Sequence, residues 1–352
     1  MPIPAPAIFL VVAAVASDLV PSLAPSFSSV ELVVTVALVV ILFDGGADIG
    51  WRRFKVAAVP IGSLGVIGTF ATAGLITVFA HLVLGTGWLT SGLLGAAIAP
   101  TDPAVVFSVL GGHSIRGRTR TILEGESGAN DPVGIALMLG LIELATHADA
   151  SFWIVVRVFG LQMVVGLALG LAGGLIERRL LRAGWLRTLV LVAVVYLAAV
   201  LAHGSGFLAV FVMGLVVGDI EAPSQALQDR VASVAEVVAF VALGLTVHIS
   251  GIPLDRWGEG LALAAFLAFV ARPLIAGALL APVRLDHGER LFVIWAGLKG
   301  AVPILLAAFT VTHHVNDAMR IYETVFVVVL ASVVVQGGTI PAAVRRLGVR
   351  AA

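Results

Sequence analysis

The sequence predicts an all-α polytopic membrane protein, and three observations support this. Of the 352 residues, 60% are hydrophobic and 12% are charged, with a mean hydropathy of +1.09, whereas soluble domains carry about 25% charged residues. Apolar runs of roughly 20 residues, the length of a membrane-crossing helix, follow one another along the chain. The polar intervals between these runs are too short to hold a soluble domain.

Composition excludes several other classes. Basic and acidic residues balance at 21 each, so net charge gives no indication of a nucleic-acid partner. The chain has no cysteine, which excludes disulfides, thiolate metal sites and a cysteine nucleophile. No removable signal peptide is evident, and no nucleotide or dinucleotide motif occurs in a fitting context. The pair His313-His314 has no third ligand nearby, so we expect neither a transition-metal site nor a cofactor.

Twelve apolar segments are predicted to cross the membrane as helices. They lie at about 5–24, 30–49, 56–82, 88–110, 121–145, 152–176, 187–203, 206–219, 231–250, 258–281, 289–312 and 321–342.

The basic residues predict the orientation of these spans, because cytoplasmic loops are rich in lysine and arginine. Sixteen of the 21 basic residues follow even-numbered spans, and they would therefore be cytoplasmic: Arg52, Arg53, Lys55, Arg116, Arg118, Arg120, Arg178, Arg179, Arg182, Arg187, Arg230, Arg284, Arg290, Arg345, Arg346 and Arg350. We expect both termini in the cytoplasm and the chain in the cell (inner) membrane.

Two of the spans are interrupted by proline, glycine and charge. The interruptions are Pro100–Pro103 in span four and Gly297–Pro303 in span eleven, and each is followed by one further span before its half of the chain ends. Broken helices at matching places in two halves are typical of transporters built from inverted repeats, with a binding site at the membrane midplane.

This symmetry predicts how the chain is divided. Residues 1–145 form the first repeat, 152–176 a linker helix, 187–342 the second repeat and 343–352 a short cytoplasmic tail. The first repeat then has one helix fewer than the second, so we expect that a helix is missing at the N-terminus.

Span five contains the residues with the most evident chemistry. Ser127 and Asp131 are four residues apart and share a helical face, while Glu126 and Asn130 form a neighbouring pair. A carboxylate and a hydroxyl offer a dehydrated alkali cation charge compensation and oxygen ligands, and the same carboxylate can bind a proton instead. The alternative is a structural polar cluster, but ionisable groups inside a membrane usually mark ion or proton pathways.

In span four, Thr101 and Asp102 lie between two prolines. Pro103 lacks an N–H group and disturbs the preceding turn, and such backbone is tolerated where it lines a cavity or is buried in protein. Freed carbonyls and the Thr101 hydroxyl could bind a cation, while Asp102 could compensate the N-terminal dipoles of half-helices. The alternative is a proline kink with an aspartate cap.

Three basic residues, Arg157, Lys299 and Arg272, also lie within spans, and the last two bear on the site. Lys299, with Pro303 beyond it, would offset the C-terminal dipole of a half-helix and support the broken helix rather than bind cations. Arg272 needs a buried acidic partner, and Glu126 is our candidate, which would leave Asp131 uncommitted.

The remaining acidic residues are expected nearer the span ends. Asp44 could reach the ion path, although an interfacial carboxylate facing Arg52 or Arg53 is the alternative. Asp18, Glu143, Asp219, Glu236 and Glu323 are predicted to lie at or near span ends, solvated or paired.

Five segments together resemble one family. Glu126–Pro132, Pro100–Pro103 and Gly297–Pro303, with Ile41–Gly46 and Ala271–Leu274, resemble the monovalent cation:proton antiporters of the sodium/proton exchanger family, specifically the bacterial NhaP type. The resemblance covers essentially the whole chain. It implies a thirteen-helix fold with crossed broken helices, two inverted six-helix repeats and a homodimer, so that the twelve predicted spans correspond to that fold without its first helix.

The resemblance also implies roles for individual residues. Asp131 would alternately bind cation and proton, Ser127 and Thr101 would help to coordinate the cation, and Asp102 would support the crossing of the broken helices. The substrates would be H⁺ and Na⁺ or K⁺, with Na⁺ as the first expectation.

The resemblance also implies an ion pair and the net charge that one transport cycle moves. Glu126 would pair with Arg272, and the Asn130-Asp131 pair resembles the electroneutral branch of the family. Lys299 departs from the arginine that is usual in this motif, which keeps the charge but loses a bidentate contact.

Two other functional classes stay open at the level of sequence. A sodium-coupled organic-solute symporter can share crossed broken helices, and solute-dependent sodium uptake would favour it. An intramembrane enzyme is the other, although the acidic residues lack an accompanying nucleophile or metal set.

Overall fold

The computed structural model consists of helices joined by short turns over the residues it describes, which are 4–110, 115, 117–147, 149–180, 185–220 and 225–349. The predicted cytoplasmic residues Arg116, Arg182 and Arg350 lie outside these ranges. The helices are α1 Ala5–Leu19, α2 Phe27–Gly62, α3 Thr69–Val83, α4 Trp88–Ile98, α5 Pro103–Leu110, α6 Arg118–Thr146, α7 Trp153–Leu180, α8 Trp185–Leu201, α9 Gly206–Val217, α10 Gln225–Leu245, α11 Leu254–Phe266, α12 Arg272–Leu280, α13 His287–Trp295, α14 Ala301–Thr312, α15 Ala318–Ala331 and α16 Gly337–Leu347.

Several of these helices continue into the next through a π-helical turn. Such turns at Ser63–Gly68, Leu267–Ala271 and Ser332–Gln336 join α2 to α3, α11 to α12 and α15 to α16. The wider turn accommodates an extra residue without ending the helix. The helices of each joined pair are therefore continuous with each other.

One residue divides α2 into two of the predicted spans. Gly50 has φ 66° and ψ 158°, a conformation that glycine adopts without a Cβ penalty. Directly after it, the backbone N–H of Arg52 donates to both carboxylate oxygens of Asp219, at 3.1 and 3.2 Å, which caps the new helix. The helix is interrupted here, between predicted spans two and three.

The two predicted interruptions are real helix breaks. The first separates α4 from α5 at residues 99–102, and the second separates α13 from α14 at residues 296–300. Pro103 is the first residue of α5 and Pro303 lies in the first turn of α14. Proline is tolerated in a first helical turn, because its missing N–H has no partner there.

Helix α9 lies at the centre of the fold. It is apolar on all sides, so it buries nearly every residue, and the Ser205 hydroxyl accepts from Leu208 N at 3.1 Å to cap it. Its neighbours approach closely, since a Cβ at Gly214 would collide with the carbonyl of Phe43 in α2. The outer helices expose large apolar side chains such as Val59 (78%) and Leu201 (81%), as expected where lipid is the solvent.

Six helical stretches in the described part of the chain are long and apolar enough to cross a membrane, and two of them, Phe27–Val83 and Trp88–Leu110, include the breaks at Gly50 and at residues 99–102. Shorter apolar helices, α1, α9 and α14 among them, accompany these six. The all-α architecture with two broken helices is thus confirmed, while the count of twelve crossings and the division into repeats stay predictions.

Candidate functional site

The two helix breaks lie directly against each other in the interior. The backbone N–H of Asp102, in the first break, donates to the carbonyl of Leu298, in the second, at 2.8 Å. A Cβ at Gly300 would overlap the Asp102 carboxylate, so only glycine allows this approach. The unwound backbone of one break therefore pairs partly with that of the other, as buried peptide groups require.

Asp102 is shared by the N-termini of two half-helices. Its Oδ1 accepts from Ala104 N, in the first turn of α5, at 2.9 Å, and the carboxylate also accepts from the backbone of Ala301, the first residue of α14. A carboxylate at a helix N-terminus satisfies free N–H groups and offsets the positive end of the helix dipole. The two alternatives for Asp102, a helix cap and a residue that compensates half-helix dipoles, therefore describe the same contacts.

The Lys299 ammonium lies at the negative, C-terminal end of a half-helix dipole. Its Nζ donates to the carbonyls of Ala99 and Pro100, at 2.8 Å each, which follow the C-terminus of α4. The side chain is 1% exposed, and the Lys299 N–H is bonded to Ser332 Oγ at 3.0 Å. The backbone of Lys299 thus belongs to the second break, but its ammonium group offsets the C-terminal dipole of α4, which precedes the first break.

Arg272 and Glu126 form a buried, bidentate ion pair. Arg272 Nη2 donates to Glu126 Oε2 at 2.9 Å, and Nη1 contacts Oε1. The same guanidinium donates to the carbonyls of Val293 at 3.1 Å and Ile294 at 3.3 Å, near the C-terminus of α13. The pair therefore joins α6 and α12 to the end of the second broken helix.

Asp131 faces a cavity of about 450 Å³ at the crossing. Ser127, Asp102 and Asp44 line the same cavity, and Phe211 of α9 closes one side. Among the described residues, the one hydrogen bond to the Asp131 side chain comes from Ser127 Oγ, at a long 3.4 Å. The Asp131 carboxylate is 6% exposed, so it is buried yet has lone pairs available to a ligand.

Thr101 and Asn130 form a separate group beside the cavity. Asn130 Nδ2 donates to Thr101 Oγ1 at 2.8 Å, and neither residue belongs to the cavity lining. Asn130 Oδ1 is buried without a hydrogen-bond partner in the described part of the chain. The predicted cation ligands are thus divided: Asp131, Ser127 and Asp102 meet at the cavity, whereas Thr101 and Asn130 bond to each other.

Three charged residues that were not predicted to belong to the site, Asp48, Arg120 and Glu124, continue the cavity towards the start of α6. Arg120 Nε is 2.6 Å from Glu124 Oε1, and Arg120 Nη2 is 3.8 Å from Asp48 Oδ2. A sequence signal existed, because positions 120, 124, 127 and 131 have the spacing of one helical face. The cavity is therefore charged over much of its length.

Glu236 of α10 corrects one prediction. It was expected at a span end, solvated or paired, but it lines the cavity of Asp131, and its Oε1 is buried without a hydrogen-bond partner among the described residues. The error arose because α10 begins at Gln225 rather than near 231, so Glu236 lies roughly 16 Å along the helix.

The arrangement favours binding of small cations. Five carboxylates line the cavity, namely Asp44, Asp48, Asp102, Glu124 and Glu236, in addition to Asp131, and Arg120 is the basic residue among the described lining. Hydroxyl and carboxylate oxygens at the inner end can replace water around a cation, or one carboxylate can take up a proton. Crossed broken helices around such a site define the class of ion-coupled secondary transporters.

Comparisons with known proteins agree with this class. The transmembrane domain model of the sodium/hydrogen exchanger family matches residues 1–346. The K(+)/H(+) antiporter NhaP of Alkalimonas amylolytica is 37% identical over 329 residues, which cover 90% of this chain and 57% of that protein. The K(+)/H(+) antiporter NhaP2 of Shewanella sp. (strain ANA-3) is 35% identical over 365 residues, which cover 97% of this chain and 62% of that protein.

The fold also matches a solved structure. The sodium proton antiporter MjNhaP1 from Methanocaldococcus jannaschii, at pH 8, superposes with a TM-score of 0.81 at 22% identity, over 96% of this chain and 93% of that one. This similarity confirms the predicted fold class.

The chain belongs to the sodium/hydrogen exchanger family, whose members are secondary transporters and not enzymes. It spans 57% and 62% of the length of the two sequence relatives described above.

Proposed function

We propose that this protein exchanges a monovalent cation for H⁺ across the cell membrane, with Asp131 binding either ion in turn. The observation that carries the proposal is the state of the Asp131 carboxylate, which is buried at the end of a carboxylate-lined cavity and receives one long hydrogen bond from Ser127. Family membership and the names of the relatives support antiport over the symporter alternative.

We place K⁺ first among the substrates and Na⁺ second, which reverses the order expected from sequence. The relatives at 35–37% identity are named K(+)/H(+) antiporters, whereas the sodium proton antiporter is 22% identical. The oxygen ligands at the site serve either ion, so the residues themselves support both.

We further propose that the structure represents the state open to the cytoplasm, with both termini on that side. Arg120, one of the basic residues that predict the cytoplasmic side, lies in the wall of the cavity that leads to Asp131. In alternating access, the two repeats would then move about the crossing to open Asp131 to the other side. A homodimer is part of the same proposal, on the basis of the family resemblance.

The direct test compares Asp131→Asn with the wild type in everted membrane vesicles. Adding K⁺, Na⁺ or Li⁺ to acidified vesicles should dequench a pH-sensitive dye with the wild type and not with Asp131→Asn, because the amide can neither neutralise the cation nor release the proton. The matched control is Asp149→Asn, an exposed aspartate outside the cavity, which should behave as wild type. Near-normal exchange by Asp131→Asn at wild-type expression would contradict the assignment.

A further inference from the structure

A second cavity, of about 650 Å³, lies at the surface where the second part of α2 begins beside the first turn of α6. Four arginines line it, and no carboxylate is among its described lining residues. We refer to it as the arginine groove: its lining includes Arg52, Arg53, Arg118 and Arg120, together with Val56 and Ala57.

Most of the positive charge in the groove is not neutralised by the protein. Arg120 is paired with Glu124 at 2.6 Å and approached by Asp48 at 3.8 Å. No described carboxylate lies within ion-pair distance of Arg52, Arg53 or Arg118, whose side chains are exposed. An anion from outside the chain would therefore find several uncompensated guanidinium groups in one groove.

Asp219, another carboxylate outside the lining, does not neutralise these arginines either. Both oxygens of Asp219 accept hydrogen bonds from the backbone N–H of Arg52, at 3.1 and 3.2 Å. Asp219 therefore caps the helix that begins after Gly50 and makes no ion pair with the Arg52 side chain in the described structure. The guanidinium of Arg52 stays available to a ligand.

The surface next to the groove is apolar. Val56 is 74% exposed and Val59 is 78% exposed, one helical turn apart on the outer face of α2. A ligand that fits both features has a charged phosphate for the arginines and a hydrocarbon chain for the valines. Guanidinium groups bind phosphate oxygens by paired hydrogen bonds. A free phosphate ion has no hydrocarbon part and would make no contact with the adjoining apolar face.

We propose that the arginine groove binds the phosphodiester headgroup of an anionic phospholipid, with an acyl chain of the lipid along Val56 and Val59. This site is separate from the cavity of Asp131, although Arg120 lies between the two. The proposal does not depend on transport activity, so a binding measurement tests it by itself.

The test is native mass spectrometry of the purified full chain, titrated with phosphatidylglycerol and, in parallel, with phosphatidylcholine. The test variant is Arg52→Gln/Arg118→Gln, which leaves Arg120 unchanged. It should lower phosphatidylglycerol retention by about 25-fold, from roughly a factor of five for each arginine near an anionic headgroup. Phosphatidylcholine retention should not change.

The matched control is Arg345→Gln/Arg346→Gln, which removes the same charge from exposed positions near the end of α16. It should retain phosphatidylglycerol as the wild type does. Equal losses in both double variants would show general charge attraction, and no loss in the test variant would show that the groove is not the site. Displacement of the lipid by millimolar inorganic phosphate would show a site for free phosphate, and each of these results overturns the proposal.

A measurement on the wild type guards against misfolding of the variant. A phosphatidylglycerol with a photoreactive acyl chain should crosslink to the α2 face around Val56 and Val59, as located by peptide mass spectrometry. Crosslinks confined to other helices would contradict the proposed position of the lipid.

Discussion

Asp131 and Asp102 are two carboxylates in one cavity, and their contacts give them different tasks. The Asp102 carboxylate accepts backbone N–H groups from the starts of α5 and α14, so its charge already has partners. The Asp131 carboxylate has the 3.4 Å contact from Ser127. A cation or a proton can therefore bind Asp131 without breaking a helix cap, which is why we assign the exchange to this residue.

Competition at one carboxylate predicts how transport depends on pH. As the pH falls, protons occupy Asp131 in more molecules, so the cation concentration that gives half-maximal exchange should rise. It should approach a constant value at high pH, where the site is free of protons. Initial rates in proteoliposomes across a pH series would measure this, and a half-maximal concentration that does not change with pH would contradict a shared site.

Glu236 predicts a second, milder effect. It lines the cavity that leads to Asp131 and carries an unpartnered buried oxygen in the described structure. Glu236→Gln should raise the half-maximal cation concentration, because it removes one negative charge from the cavity that the cation enters. Two unit charges about 4 Å apart in water interact by roughly 1 kcal/mol, so the rise should be at most about fivefold. The maximal rate should persist, since Asp131 is intact.

The matched control for this variant is Glu323→Gln, near the start of α15 and outside the cavity, which should leave the half-maximal concentration unchanged. Complete loss of exchange by Glu236→Gln would instead indicate that Glu236 is itself indispensable. An unchanged half-maximal concentration would show that it does not influence the cation.

The sequence was informative about individual residues where the chemistry was local. Ser127 and Asp131 share one turn of α6, so their contact follows from helical spacing alone. Glu236 was misplaced because its position depends on where α10 begins, and an apolar run defines a helix boundary poorly. Which carboxylates share a cavity depends on the packing of separate helices, and no spacing rule gives that.

At the scale of helices, the site depends on contacts between elements that are far apart in sequence. Lys299 reaches the carbonyls at the end of α4, and Arg272 reaches both Glu126 of α6 and the end of α13. The breaks themselves were predictable from proline and glycine. Their crossing, and the contact of Lys299 with the opposite break, could not be read from the sequence, because they depend on tertiary packing.

The buried ion pair between Glu126 and Arg272 should contribute to the stability of the fold. Removing one partner leaves a buried charge unpaired, which costs about 3–5 kcal/mol in comparable pairs. Glu126→Gln and Arg272→Gln should each lower the melting temperature in detergent, and the double variant should lose less than the sum of the two. Arg272→Gln should be the worse single change, since it also frees the carbonyls of Val293 and Ile294.

Thermal unfolding of the two single variants and the double variant measures this coupling. Additive losses would show that the two residues contribute independently, in spite of their contact. A further variant, Arg256→Gln, breaks an ion pair with Asp255 and Glu259 that is more exposed than the pair of Glu126 and Arg272. It should cost less, because Glu259 keeps its ion pair with Arg320 at 2.5 Å and the Asp255 side chain is 61% exposed.

At the scale of the whole molecule, the described cavity leads to Asp131 from the end of α6 that carries Arg120. Transport requires that this opening close and another open, so that the site faces each side of the membrane in turn. The number of carboxylates that change occupancy therefore decides whether the cycle moves net charge. Asn130 is bonded to Thr101 and carries no charge, so Asp131 is the one ionisable residue of that pair.

We therefore predict that the exchange is electroneutral, one cation for one proton, because Asp131 has the same net charge with either ligand. A cycle that moved one charge across 100 mV would gain or lose about 2.3 kcal/mol, so it would generate a measurable current. Proteoliposomes on a solid-supported membrane should show a change of internal pH after a jump in K⁺ or Na⁺, without a transient current. Valinomycin added to the same liposomes should then give a K⁺ current, which verifies that charge movement is detectable. A current that grows with the cation gradient and is absent with Asp131→Asn would rule out one-for-one exchange, and with it the role of Asn130 as a neutral neighbour.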